Sequence, residues 1–152
     1  MVTIRPAVAA DGPVLLTLAD RLREGVAPWR DETAVGVAVR GWVVASVAAR
    51  DEAGHAVLVA EVGGTIVGFV TLAPGTHWSG VSEPSIGELV VAPETEAQGV
   101  GTALVEAVMA HARSKGHTRV SVSTGAANAR ALGLYRRLGF EDEDVTLSRH
   151  LI

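Results

Sequence analysis

The chain has 152 residues, 48% of them hydrophobic and 20% charged, which fits one domain over residues 1–152 and excludes a disordered chain. A net charge of −4 argues against a broad basic surface, and no apolar stretch reaches the ~20 residues of a membrane span, so neither nucleic acid nor a membrane is an expected partner. The chain has no cysteine for a disulfide, a thiolate metal site or a nucleophile, and its N-terminus predicts a strand instead of a signal peptide, so we expect a cytoplasmic protein.

The spacing of apolar residues, glycines and prolines predicts elements in the order β-α-α-β-β-β-α-β-α-β. In chain order they are strand 2–5, helix 11–22, helix 33–50, strands 55–62 and 65–72, loop 74–85, strand 86–92, helix 101–115, strand 118–124, helix 126–138 and a final extended strand after 140. Gly63-Gly64 is a hairpin turn signal, and Trp42 falls on the apolar, buried side of the second helix. Hairpins followed by βαβ units indicate an α/β (α+β) fold, with one mixed sheet and helices on both faces.

The stretch from Ile86 to Leu104 is where a ligand site is expected. A strand runs into a short loop, and Gly99 and Gly101 open a helix whose free N–H groups suit an anion such as a phosphate. A P-loop needs a lysine here, but the only lysine is Lys115, and the dinucleotide fingerprint needs a glycine at Leu104. A bare Gly-x-Gly is more often just a turn, so by itself it leaves two interpretations open, an anion-binding site and an ordinary turn.

A second motif resolves the choice. The segment Asn128-Ala-Arg-Ala-Leu-Gly-Leu-Tyr135-Arg-Arg-Leu-Gly139-Phe140 resembles the last helix of the GCN5-related N-acetyltransferase (GNAT) superfamily. The segment from Glu96 to Gly101 resembles that family's acetyl-coenzyme A motif, Arg/Gln-x-x-Gly-x-Gly/Ala, and the order and distance of the two motifs also match. The resemblance covers nearly the whole chain and implies a mixed, mostly antiparallel sheet.

The resemblance implies acetyl-coenzyme A as a co-substrate. Its binding residues would be Leu89, Val90, Val91, Glu96, Ala97, Gln98, Gly99, Val100, Gly101, Thr102 and Asn128. Backbone groups of 89–91, beside a strand bulge, would hold the pantetheine arm, and the amides of 97–102 would hold the pyrophosphate. Glu96 departs from the family's Arg or Gln, and a carboxylate there weakens pyrophosphate binding unless it points into water.

The resemblance also implies catalytic roles for Tyr135 and Glu88. Tyr135 would protonate the departing thiolate, although its helical spacing with Leu134 and Leu138 equally fits a packing residue. Glu88 would take the proton of the amine, and strand alternation predicts it on the face of Ile86 and Val90, where apolar neighbours would raise its pKa. The alternative for Glu88 is a carboxylate satisfied by a neighbouring arginine.

The acceptor and the partners are less well defined by the sequence. By the resemblance, Trp29, His77 and Trp78 would border an amine acceptor, and family members are often homodimers. The histidines show no metal-ligand spacing, so no metal is expected. We expect direct N-acetyl transfer to a small molecule or a protein amino group. The alternatives are an acyl-coenzyme A sensor without turnover and a transferase of another acyl group.

Overall fold

The protein is described by a computed structural model that covers residues 1–152. Short 3-10 turns connect several of its helices and strands. The elements are β1 (Val2–Pro6), α1 (Gly12–Leu18), α2 (Glu32–Ala48), β2 (Ala56–Val62), β3 (Thr65–Ala73), β4 (Ser85–Val91), α3 (Val100–Ser114), β5 (Ser121–Val122) and α4 (Ala129–Arg137). No helix is both long and apolar enough to cross a membrane.

The five strands form one sheet in the order β1-β2-β3-β4-β5. The first four strands are antiparallel to their neighbours, and only β5 is parallel to its neighbour β4. Gly63 and Gly64, both with positive φ, make the turn between β2 and β3 that the sequence predicts. The mixed, mostly antiparallel sheet is therefore confirmed.

Each face of the sheet carries its own apolar core, as predicted. On one face Phe69 and Val90 pack with residues of α1 and α2, such as Leu15 and Val43. On the other face the core includes several residues of α3, and α4 adds Tyr135. Most fully buried side chains are valines or alanines, and Phe69 is the largest of them, so many small side chains fill the core.

The last predicted strand is wrong. Residues 141–152 form no strand, and every side chain in this segment is exposed, including Val145 and Leu147. A strand needs a partner edge, and no strand of the sheet pairs with this segment. The acidic run 141–144 is solvated as expected, and Asp142 pairs with Arg136 at 2.8 Å.

Two other elements differ from their predicted extents. The strand predicted over 118–124 shrinks to Ser121–Val122, because β5 pairs with β4 at only two positions. The first predicted helix ends at Leu18 and continues as a 3-10 turn over Ala19–Arg23. The carboxylate of Asp11 makes no cap bond to α1, because it accepts from Arg5 and from the Val8 N–H instead.

Candidate active site

A cleft opens where β4 and β5 separate. The two strands pair only at Ser85 with Ser121 and at Ile86 with Val122, so the edge of β4 beyond Ile86 has no strand beside it. The cleft holds about 300 Å³. Its lining residues come from β4 and the turn after it, from β5 and the loop after it, and from α4, α2 and the segment after α1: Arg21, Leu22, Glu24, Val26, Trp42, Gly87, Leu89, Val90, Val91, Glu96, Val122, Ser123, Thr124, Gly125, Asn128, Arg130, Ala131 and Tyr135.

A β-bulge lies in β4 at the start of this free edge. Val70 of β3 faces Leu89 and Leu72 faces Ile86, so two residues of β4, Gly87 and Glu88, stand opposite Thr71 alone. The extra residue reverses the alternation of side chains along the strand. Ile86 packs on the α3 face, whereas Val90 packs on the α2 face. Glu88 contacts Ser46 of α2, so the prediction that it shares a face with both Ile86 and Val90 is wrong for Ile86.

Glu88 is a buried residue that makes hydrogen bonds with two hydroxyl groups, one through its carboxylate and one through its backbone N–H. It is 7% exposed, the Ser46 hydroxyl donates to its Oε1 at 2.5 Å, and its own N–H donates to Thr71 Oγ1 at 2.8 Å. Burial raises the pKa of Glu88, and the hydrogen bonds with Ser46 and Thr71 oppose part of that rise. None of the chain's ion pairs involves Glu88, so the alternative of an arginine partner is not what the fold provides.

The carboxylate of Glu88 is not itself part of the cleft lining. Its neighbours Gly87 and Leu89 line the cleft, and so does Trp42, which lies one helical turn before Ser46 on α2. Glu88 therefore lies beside the cleft and against α2, and its two neighbours in the sequence line the cleft. A group in this position exchanges protons with a cleft ligand through water more readily than by direct contact.

Tyr135 lines the cleft from the α4 side. Only 5% of it is exposed, and its ring meets Phe140 edge-on with centroids 5.3 Å apart. Leu134 and Leu138 pack with it against the α3-side core, as the helical spacing predicts. Burial alone raises the pKa of the Tyr135 phenol, so the group keeps its proton throughout neutral and mildly alkaline solution.

Asn128 is the N-cap of α4. Its Oδ1 accepts from the Ala131 N–H at 3.1 Å, and its Nδ2 donates to the Glu24 carbonyl at 3.3 Å. The cap residue and Tyr135, two helical turns apart, both line the cleft, so the sequence expectation that they face one space is met. The segments carrying Gly25 and Gly125 also touch, since a Cβ on Gly125 would overlap the Gly25 carbonyl oxygen.

The glycine loop after β4 lies at one end of the cleft. Glu96 lines the cleft, and residues 97–102 follow it into α3 without being part of the lining. Gly99 has a φ of 74°, the left-handed region that favours glycine, and the Ala103 N–H makes the helix's first bond, to the Gly99 carbonyl. The amides of Val100, Gly101 and Thr102 precede that bond, and such N–H groups are free for an anion.

Glycine is required at Gly99 and at Gly101 for two different physical reasons. No atom lies within 4 Å of a Cβ built on Gly99, so that position is governed by its backbone conformation. A Cβ on Gly101 would lie 3.2 Å from Leu134 and 3.6 Å from Val91, so this glycine lets α3, α4 and β4 pack closely.

The three residues expected to border the acceptor lie outside the cleft lining. Trp29 is 68% exposed and Trp78 is 86% exposed. His77 packs on Trp78 with ring centroids 4.9 Å apart, and its Nε2 lies 3.6 Å from a carboxylate oxygen of Glu143. The loop that carries His77 and Trp78 is thus joined to the C-terminal segment, apart from the cleft that Tyr135 lines.

Several cleft residues escape prediction from the sequence. Trp42 is 51% exposed and lines the cleft, so its predicted burial in α2 is wrong. Arg21, Glu24 and Arg130 also line it, and their arrangement depends on contacts between residues far apart in the chain. The sequence does carry one warning for Trp42. The helix α2 is apolar on nearly all sides, so its apolar residues do not identify a single buried face.

Comparison with known proteins agrees with the fold. The sequence profile of the Acetyltransferase (GNAT) family matches residues 19–140. A PaiA N-acetyltransferase from Thermoplasma acidophilum, solved in complex with coenzyme A, is 18% identical, with a TM-score of 0.80 over 96% of this chain and 93% of that one. At this identity the likeness shows a common fold.

Curated relatives extend the comparison. An uncharacterized N-acetyltransferase from Methanocaldococcus jannaschii is 37% identical over 100 residues, which are 63% of this chain and 42% of that protein. The chain thus spans less than half the length of this relative. An L-methionine sulfoximine/L-methionine sulfone acetyltransferase from Pseudomonas paraeruginosa is 30% identical over 142 residues, which are 91% of this chain and 80% of that protein.

Proposed function

The chain belongs to the acetyltransferase (GNAT) family, and from that premise we propose that residues 1–152 act as one domain that transfers an acetyl group from acetyl-coenzyme A directly to an amine. The observation that carries the proposal is the cleft between β4 and β5, with Tyr135 and Asn128 on one wall and the free edge of β4 on the other. The cytoplasmic location and the homodimer stay predictions.

The residues present fit the coenzyme. Because β5 leaves β4 after Ile86, backbone groups along Gly87–Val91 have no strand partner on that side and are free for an extended, amide-containing arm. The N–H groups at the start of α3 offer a place for the pyrophosphate, and Asn128 and Tyr135 close the opposite wall. Acetyl-coenzyme A supplies an activated thioester when it is bound.

Direct transfer needs an uncharged amine, because an ammonium group has no lone pair with which to attack. We assign the uptake of its proton to Glu88, acting through water, since the raised pKa of this buried carboxyl makes it the better proton acceptor. The amine nitrogen then bonds to the acetyl carbonyl carbon, the carbon–sulfur bond breaks, and Tyr135 donates its phenolic proton to the departing sulfur. Solvent returns a proton to Tyr135 and removes one from Glu88.

A small amine is the acceptor we favour. The Pseudomonas paraeruginosa relative, which matches 91% of this chain, is named for two small methionine derivatives, L-methionine sulfoximine and L-methionine sulfone. The expected site lies on the α2 side of the cleft, beside Trp42 and next to Glu88. The exposed Trp29 and Trp78 and the half-buried His77 stay candidates for the outer border of this site.

The test is release of coenzyme A thiol from acetyl-coenzyme A across a panel of amines that includes both methionine derivatives, free amino acids, polyamines and peptides. Saturable release with at least one amine is the expected result. Calorimetric binding of acetyl-coenzyme A with no release on any amine would instead identify a sensor without turnover. A thermal shift with a longer acyl-coenzyme A and none with acetyl-coenzyme A would identify a different acyl donor.

Ser46 is expected to set the pH at which Glu88 accepts a proton. Its hydroxyl stabilises the ionised carboxylate, so Ser46→Ala raises the pKa of Glu88 further and moves the acidic limb of the kcat/KM profile to higher pH. At pH well above that limb the variant should turn over like the unmodified protein. Ser46→Thr, which keeps a hydroxyl, is the control and should restore the limb, whereas an equal loss at every pH would mean that Ser46 only packs.

A further inference from the structure

Four charged side chains form a closed ring around one end of the cleft. Arg21 pairs with Glu96 and lies 3.6 Å from Glu24, while Nη1 of Arg130 lies 3.1 Å from Glu24 and 2.7 Å from Glu96. All four residues of this charge ring, Arg21, Glu24, Glu96 and Arg130, line the cleft. Two positive and two negative charges alternate, so the ring is neutral as a whole.

The charge ring joins three parts of the fold. Arg21 and Glu24 belong to the segment after α1, Glu96 to the turn after β4, and Arg130 to the first turn of α4. Exposure of the side chains ranges from 27% for Arg21 and Glu96 to 57% for Arg130. Ion pairs this accessible to water add little to folding stability, so stability alone does not explain two arginines at this place.

The chemistry of guanidinium groups suggests another role. Arginine binds carboxylates and phosphates with the same planar set of N–H donors. Glu96 directly precedes the loop 97–102, whose amides start α3, so an anion on those amides would lie next to Glu96 and its two arginine partners. The carboxylates of Glu24 and Glu96 therefore occupy donors that a phosphate could use.

We propose that Arg21 and Arg130 bind the pyrophosphate of acetyl-coenzyme A, and that Glu24 and Glu96 occupy these arginines in the free protein and are displaced when the coenzyme binds. This inference rests on the proposed function and adds two binding residues to it. It also gives a role to Glu96, the residue that departs from the family's Arg or Gln. The carboxylates of the ring and the phosphates of the coenzyme compete for the same two arginines. The acidic and basic members of the ring therefore have opposite effects on the affinity for coenzyme A.

Calorimetric titration with coenzyme A, without any acetyl transfer, tests the competition. We expect Glu96→Gln to tighten binding roughly fivefold, because a competitor of exposed ion-pair strength is removed. Glu24→Gln should change affinity in the same direction. Arg130→Gln should weaken binding by about tenfold to a hundredfold, the range for losing hydrogen bonds to a charged group.

The controls separate binding from folding and one phosphate from another. Arg136→Gln removes an exposed ion pair on the same helix, with Asp142, outside the cleft, and should leave coenzyme A affinity unchanged. Thermal denaturation of each variant checks that it folds. The same affinity ratios are expected with dephospho-coenzyme A, which keeps the pyrophosphate but lacks the 3′-phosphate.

Four results would overturn the proposal. Equal signs for Glu96→Gln and Arg130→Gln would make the charge ring a purely structural tie between loops. Ratios that disappear with dephospho-coenzyme A would move the arginines to the 3′-phosphate. If the unmodified chain does not bind coenzyme A, the proposed function is overturned as well. If it binds coenzyme A and Glu24→Gln, Glu96→Gln and Arg130→Gln all leave the affinity unchanged, only the role of the ring is overturned.

Discussion

Tyr135→Phe is expected to slow turnover by about a hundredfold or more while coenzyme A binding stays the same. Phenylalanine keeps the ring that packs edge-on against Phe140, so the substitution removes only the hydroxyl of this cleft-lining residue. Without that proton the sulfur must depart as a thiolate, which makes breakage of the carbon–sulfur bond slower. Steady-state thiol release gives kcat, and calorimetry gives the affinity for coenzyme A.

Leu138→Met is the control for this prediction, because it alters packing on the same apolar side of α4 without touching the cleft. It should turn over like the unmodified protein. If Tyr135→Phe also keeps its full kcat, Tyr135 is a packing residue and another donor protonates the sulfur. The raised pKa of Tyr135 adds a second expectation, that no alkaline limb in the neutral range of the rate profile belongs to this phenol.

Glu88→Gln is expected to lower kcat/KM at neutral pH by about a hundredfold and to abolish the acidic limb of the profile. In the unmodified protein that limb should lie above the ordinary glutamate range near pH ~4.3, because burial raises the pKa. Glutamine has the same shape and can keep the hydrogen bond with Ser46. A variant that retains both its activity and the limb would exclude Glu88 as the base.

The same substitution should stabilise the fold at neutral pH. A carboxyl whose pKa is raised on folding costs stability as the pH rises above its unfolded pKa, since the buried group must then either keep a proton that the unfolded chain has released or carry a charge while buried. The Tm of Glu88→Gln should therefore exceed that of the unmodified protein at pH 7, and the difference should vanish in acid. Glu61→Gln is the matched control for the activity measurements. It loses an ion pair with Arg5 in the β1–β2 pair of strands, away from β4, and should change neither kcat/KM nor the pH of the acidic limb.

Local signals predict those parts of the fold that depend on a few neighbouring residues. The turn at Gly63-Gly64 and the start of α3 after Gly99 need backbone conformations that only glycine adopts readily, and both are where the sequence places them. The cap at Asn128 is equally local. Together with the family resemblance, these signals predict that Asn128 and Tyr135 face one site, and both residues line the cleft.

Features that depend on pairing between distant segments could not be predicted in the same way. The face of Glu88 is decided by how β4 pairs with β3, and the length of β5 by how far it stays beside β4. The charge ring joins Glu24 with Arg130, which lie 106 positions apart in the sequence. Alternation and composition carry no information about such contacts, so they become visible only in the folded chain.

The bulge in β4 has a consequence for position-by-position alignment with relatives. Upstream of Gly87 the even-numbered Ile86 points toward α3, whereas downstream the odd-numbered Leu89 and Val91 do so. An alignment without a gap, against a relative whose strand lacks the extra residue, equates side chains that point to opposite faces. In such a relative, the carboxylate that corresponds to Glu88 in space stands one position away in sequence.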